Sequence, residues 1–278
     1  MPVPLDRALD LTGRVMLVTG GTKGVGRGIA ERFLEAGATV VVTARGEPDA
    51  LPSHDPGADA GGSEGARSDG GATPRTATFL PADVRDPEAV AGLVDAVVAA
   101  HGRLDVVVNN AGGAPPADAA TASPRYSQAV VALNLLAPLH VAQAANAVMQ
   151  AQDGGGTIVN IGSVSGTRPS PGTAAYGAAK AGLAGLTRSL AVEWAPRVRV
   201  NLVVGGLLAT EQVELFYGDE EGQARVAATV PMGRLGTPAD VADACLFLAS
   251  PLAAWVTGAE LAVHGGGERP AFLDAAAP

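Results

Sequence analysis

The 278-residue chain reads as an α/β protein built on one doubly wound parallel sheet of seven strands. Three observations carry that reading. Short β-branched runs alternate with Ala/Leu/Val-rich stretches at helical spacing. The short runs are apolar nearly throughout, as strands buried on both faces of a helix-covered sheet must be. A glycine-rich turn joins the first run directly to the first helix.

In chain order, strands are expected at 15–19, 39–43, 78–82, 104–109, 157–161 and 198–203, with a short seventh at 260–263. Helices are expected at 25–36, 87–100, 124–150, 173–194 and 238–248. Pro87, Pro124 and Pro238 stand in the first turns of three of them, where a missing amide hydrogen is no loss. Right-handed crossovers then put helices on both faces, a Rossmann-type arrangement. The length allows a single domain, read here as 1–267, followed by a loosely held tail at 268–278. Residues 46–75 break the rhythm: they hold seven Gly, four Pro and six acidic residues, with Leu51 the only large aliphatic. That composition cannot offset its ordering entropy, so a flexible insertion is expected between the second and third strands, an inert linker in preference to a cofactor flap.

Composition narrows function. With 28 acidic against 19 basic residues the net charge is −9, which repels phosphate backbones and anionic lipid, so no nucleic-acid or membrane partner is expected. A lone cysteine, Cys245, excludes an intrachain disulfide and a multi-cysteine metal site, and fits a reducing cytoplasm. The first ten residues carry Asp6, Arg7 and Asp10 with no apolar core, and no run of about 18 apolar residues follows, so neither Sec-type export nor a membrane span is expected. His54, His101, His140 and His264 show no ligand spacing, and no metal is expected.

The chemistry gathers at strand ends. Thr19-Gly20-Gly21-Thr22-Lys23-Gly24-Val25-Gly26 runs from a strand into a helix, so Gly20, Thr22, Lys23, Val25 and Gly26 can bring a pyrophosphate to a helix N-terminus. The second strand ends Val42-Thr43-Ala44-Arg45, without the carboxylate that would take a ribose 2′-hydroxyl. Arg45 and Lys23 together can bracket a 2′-phosphate instead, which favours NADP(H) over NAD(H). Tyr176 and Lys180 stand four apart on one helix face, so an ammonium near a phenol should favour its ionised form. Lys23 and Lys180 are the only lysines, the other basic residues all being Arg. Ser163 follows a parallel strand, where such sheets place ligand-contacting groups.

Together these motifs resemble the short-chain dehydrogenase/reductase family in its compact single-domain branch. The likeness rests on Gly-x-x-x-Gly-x-Gly after Thr19, on Asn109-Asn110-Ala111-Gly112, on Ser163 thirteen residues before Tyr176, on Tyr176-x-x-x-Lys180, and on Asn134 in the long helix, and it spans 11–267. It implies a catalytic tetrad of Asn134, Ser163, Tyr176 and Lys180 that moves hydride reversibly between nicotinamide and a carbonyl or secondary alcohol. It further implies that Tyr176 and Lys180 meet the cofactor ribose and that Asn134 organises a proton-relaying water. Asp83 and Val84 would meet adenine, Asn110, Ala111 and Gly112 the ribose, and Leu208 and Thr210 the carboxamide and phosphates. Relatives commonly form tetramers through the long helices and the last helix and strand, so a homotetramer or homodimer is expected.

One departure stands out: Gly205-Gly206 occupies the place of the family's Pro-Gly, freeing that turn, so the loop after it is expected to order with cofactor. Residues 207–230 read as a substrate lid with Leu207, Leu208, Val213, Leu215, Phe216 and Tyr217 as wall candidates. Its acidic residues, Glu211, Glu214, Asp219, Glu220 and Glu221 against Arg225, disfavour coenzyme A or an acidic carrier protein and favour a small, largely uncharged substrate. Arg125 and Arg168 are local exceptions; for Arg168 a solvated position is favoured over a substrate-carboxylate ligand. The alternatives are a β-ketoacyl thioester reductase, which shares the tetrad, and a non-catalytic NADP(H)-binding sensor or scaffold.

Overall fold

The computed structural model describes residues 4, 7–57 and 73–275. Its strands are β1 (Val15–Thr19), β2 (Thr39–Ala44), β3 (Ser53–His54), β4 (Arg75–Thr76), β5 (Thr78–Pro81), β6 (Val106–Asn109), β7 (Gly156–Ser163), β8 (Val198–Gly205) and β9 (Glu260–Val263). Seven of them form one parallel sheet in the order β5-β2-β1-β6-β7-β8-β9. The order reverses between β1 and β6, which opens a crevice at the carboxyl ends of those two strands.

The helices are α1 (Gly24–Glu35), α2 (Pro87–His101), α3 (Pro124–Val131), α4 (Ala137–Ala151), α5 (Ala174–Trp194), α6 (Val213–Tyr217), α7 (Glu220–Thr229), α8 (Pro238–Ala249) and α9 (Ala271–Ala275). Strand alternation sorts the core into two layers. Met16, Val18, Val40 and Val42 pack with Ile29 and Phe33 of α1 and Val241 and Cys245 of α8. Val15, Leu17 and Val41 pack with Val90 and Val94 of α2, Val141 and Ala145 of α4 and Leu190 of α5. Each large side chain so buried contributes roughly 1.5–3 kcal/mol. The proline-led helices are capped as their sequences suggest: Asp86 accepts from Glu88 N, Ser123 from Tyr126 N, and Thr237 forms a reciprocal box with Asp240.

Three expectations need correction. The single helix expected at 124–150 is interrupted by a π-turn at Ala132–Leu136, which joins α3 to α4. By length and mean hydropathy the resulting 28-residue helix could cross a membrane; here its apolar face lies on the sheet. The flexible insertion expected over 46–75 is anchored at both flanks. Leu51 packs on the α1 core layer, Pro52 is buried, and β3 pairs antiparallel with β4. Arg27 donates to the Ala50 and Leu51 carbonyls, and Ala77 N to the Pro52 carbonyl. Two apolar residues beside exposed backbone suffice where a charged helix supplies hydrogen bonds; residues 58–72 lie outside the described residues. The start of the tail is also held, by Arg269 N on the Thr229 carbonyl and by an ion pair between Glu268 and Arg168.

Candidate active site

The crevice is bounded by the turn between β1 and α1. A Cβ on Gly26 would lie 2.2 Å from the Gly20 carbonyl oxygen, so only glycine lets the turn fold this tightly. Asn110 clamps it: its Nδ2 donates to the Thr19 and Gly20 carbonyls at 2.9 and 3.1 Å, while Thr19 Oγ1 accepts from the Asn110 and Ala111 amides. The Asn110 side chain therefore serves the glycine turn. Lys23, which precedes α1, provides no side-chain cap, so α1 begins without an acceptor from its own N-cap residue.

Two connected clefts meet at this turn. One, of about 880 Å³, is lined among others by Thr22, Lys23, Arg45, Asp83 and Val84. Residues 46–50 also line it, so the flank of the insertion forms part of its wall. Thr43 Oγ1 is buried there without a partner. Asp83 is already engaged: Arg85 grips both its oxygens and holds its carboxyl down at about 2, so any adenine contact would share that carboxylate. Lys23 and Arg45 are exposed on the rim.

The second cleft, of about 460 Å³, holds Val25, Gly26, Asn110, Ser163, Tyr176, Lys180, Leu208 and Thr210; Gly20, Ala111 and Gly112 line both. Ser163 is the last residue of β7, and α5 brings Tyr176 and Lys180 against it. A Cβ on Gly177 would lie 2.7 Å from the Ser165 carbonyl, so glycine is what allows this approach. Ser163 and Tyr176 line this cleft together, and the Ser163 hydroxyl acts to lower the Tyr176 phenol. Lys180 is 4% exposed; its Nζ donates to the Ile161 carbonyl at 2.7 Å and lies 5.6 Å from the Tyr176 ring centre. Burial pushes the Lys180 ammonium down to about 8. Burial raises that phenol and outweighs the Ser163 hydroxyl. This reverses the direction expected from the spacing, because desolvation outweighs attraction by an ammonium set beside the ring.

Asn134 lies behind the cleft, fully buried in the π-turn. Its Oδ1 accepts from Gly113 N at 2.8 Å, and its Nδ2 donates to the Gly113 and Val130 carbonyls. A Cβ on Gly112 would lie 2.8 Å from that Oδ1 and 3.3 Å from Lys180 Nζ, so Asn134, Gly112 and Lys180 share one small space.

At the lid, 207–209 is paired with Gly236: Gly236 N donates to the Leu207 carbonyl, Ala209 N to that of Gly236, and Leu208 bridges to Gly236. Tyr217 sits in the electrostatic reach of Tyr176, Arg168 and Glu268. Leu215 and Phe216 are exposed and form no wall. Arg168 is exposed, as expected, and is ion-paired with Glu268. Sequence reasoning missed this pair, the Asp83–Arg85 grip and the place of Glu211 at the start of α1. Each joins residues whose spacing carries no local pattern.

Residues 20–268 match a family model described as enoyl-(acyl carrier protein) reductase. The chain belongs to the short-chain dehydrogenase/reductase family. It is 37% identical over 258 residues to an uncharacterised oxidoreductase of Mycobacterium tuberculosis, covering 92% of each chain. It is 35% identical to a 3-oxoacyl-[acyl-carrier-protein] reductase of Vibrio cholerae, covering 93% of this chain and 98% of that one. The ligand-free aldohexose dehydrogenase of Thermoplasma acidophilum superposes with a TM-score of 0.79 at 29% identity, over 97% of both chains. The chain is thus an oxidoreductase of this family, and a nicotinamide cofactor fits its two clefts: the glycine cradle and the unpartnered Thr43 hydroxyl are suited to hold one.

Proposed function

We propose that this short-chain dehydrogenase/reductase catalyses reversible hydride transfer between NADP(H) and the carbonyl or secondary alcohol of a small, largely uncharged substrate. The observation that carries the reading is the meeting of Ser163, Tyr176 and Lys180 in a cleft continuous with the glycine turn and the start of α1. When bound, the nicotinamide supplies or accepts the hydride. Ser163 donates a hydrogen bond to the substrate oxygen and orients it. Tyr176 gives that oxygen a proton in reduction and removes one in oxidation. Lys180, held by the Ile161 carbonyl, has donors left for ribose hydroxyls, and its charge favours the phenolate when the site is polarised. Asn134 fixes Gly113 and organises the water that relays protons toward Lys180.

Lys23 and Arg45, both on the rim of the larger cleft and without a ribose-directed carboxylate at Ala44, support NADP(H) over NAD(H). The β-ketoacyl thioester reading draws support from the Vibrio cholerae relative's name. The acidic lid weighs against docking a phosphate-rich or acidic carrier there. A non-catalytic sensor would not need the assembled tetrad. We further infer a cytoplasmic homotetramer or homodimer; Trp255 (98% exposed) and Val192 (81%) give the isolated chain apolar surface for a second copy.

The test is a panel of ketones, quinones, sugars and ketoacyl thioesters with NADPH and NADH, run on the parent and on Tyr176→Phe. The variant should lose at least about two orders of magnitude in turnover while NADPH affinity stays nearly intact, since only proton transfer is removed. Near-normal turnover in Tyr176→Phe would reject the tetrad. Equal affinities for the two cofactors by calorimetry would reject the NADP(H) preference.

A further inference from the structure

The two clefts share a boundary formed by Gly20, Lys23, Ala111, Gly112 and one residue of the lid, Glu211. Glu211 Oε1 accepts a hydrogen bond from Gly24 N, the first amide of α1, at 3.0 Å. A Cβ on Gly24 would lie 3.5 Å from Glu211 Oε2 and 3.8 Å from Thr210 Cγ2, so lid and helix start are in near contact. The bond to Gly24 holds the Glu211 carboxyl below its ordinary value, with Arg27 and Lys23 adding to the effect, so it is an anion at neutral pH.

This inference rests on the dinucleotide reading above. A dinucleotide with its adenosine in one cleft and its nicotinamide in the other must carry its diphosphate across the shared boundary. A diphosphate seeks the same place that Glu211 occupies, the first amide and positive end of α1. Two anions cannot share that seat without strong repulsion.

We propose that Glu211 is a resident competitor for the diphosphate of the cofactor, holding the lid to α1 until the diphosphate displaces it. Cofactor binding and lid position are then linked by exchange of one anion for another. Only ligands with a phosphate at this boundary have to displace the carboxylate; a ligand confined to the adenosine cleft does not.

That difference gives the experiment. Dissociation constants for NADPH and for adenosine 2′-monophosphate, which lacks the diphosphate, are measured calorimetrically on the parent, on Glu211→Gln and on Glu211→Ala. The inference expects NADPH to bind about 5–10-fold tighter to both variants, with adenosine 2′-monophosphate unchanged. It also expects the Gly24 amide to exchange hydrogen faster in Glu211→Ala without ligand, a readout independent of turnover. Unchanged or weaker NADPH binding would overturn the proposal, as would equal tightening of both ligands, which would mark a general field effect. If the parent and both variants bind no dinucleotide, the dinucleotide reading falls and this inference with it; binding of equal strength in all three removes this inference alone.

Discussion

Lys180 shows what the site costs the fold. A buried ammonium whose pKa falls from 10.5 to about 8 is more easily protonated in the unfolded chain, so the folded state loses stability as pH drops from above 10.5 to below 8. Lys180→Met should therefore raise the unfolding free energy at pH 7 by roughly 1–3 kcal/mol while abolishing turnover, with the gain shrinking as pH rises through 8 to 10.5. Urea titrations of both proteins across that range would check it; a destabilised variant at pH 7 would contradict it. For Tyr176, burial raises the phenol above 10. Alcohol oxidation, which needs the phenolate, should then accelerate with pH across the neutral range, while carbonyl reduction, which needs the phenol, stays flat there. Opposite or parallel slopes in the kcat/KM profiles would refute the assignment. At this scale the sequence disclosed which residues meet, because Tyr176 and Lys180 are a helical pair and Ser163 ends a strand. It did not disclose the sign of the Tyr176 shift, since burial is a property of the assembled site.

Among elements, the turn after β8 separates two adjacent glycines by function. A Cβ on Gly206 would lie 2.7 Å from the His264 Cα, whereas one on Gly205 would make only ordinary contacts, with the Leu208 side chain at 3.6 Å and the Gly162 carbonyl at 3.9 Å. Gly205→Ala should be neutral or raise Tm by a few degrees through the unfolded state, and Gly206→Ala should lower it by well over 1 kcal/mol in stability. Thermal melts of the pair decide this, and equal effects would be evidence against the packing argument. The flank of the insertion makes a similar case. Arg27 ties the Ala50 and Leu51 carbonyls to α1, and Leu51 lies on the core layer below. Leu51→Asp should cost about 2 kcal/mol or more and weaken cofactor binding, because residues 46–50 line the larger cleft. The signal was hard to see: one aliphatic among seven glycines and six acids carries no periodicity, and its partners are on a different helix.

For the molecule as a whole, the parallel sheet and its helical cover were legible because most strands are short apolar runs and α2, α3 and α8 open on a proline behind a capping side chain; the strand order was not read from the sequence. The exposed Trp255 and Val192 belong to this scale. If a second copy covers them, sedimentation should show a tetramer or dimer, and Trp255→Asp should shift the population toward smaller species without altering the folded-state circular dichroism. A monomeric parent protein would end that expectation. The π-turn in the long helix has a consequence at the same scale. It amounts to one extra residue, so α3 is advanced by about 100° in angular phase relative to a straight continuation of α4. The two halves of one rod thereby answer to different neighbours: α4 keeps its apolar stripe on the sheet, while the offset half lets Asn134 reach Gly113. Deleting the exposed Leu136 would restore the regular phase, leave helicity unchanged by circular dichroism, and swing Asn134 away from Gly113, uncoupling the site from an otherwise intact helix.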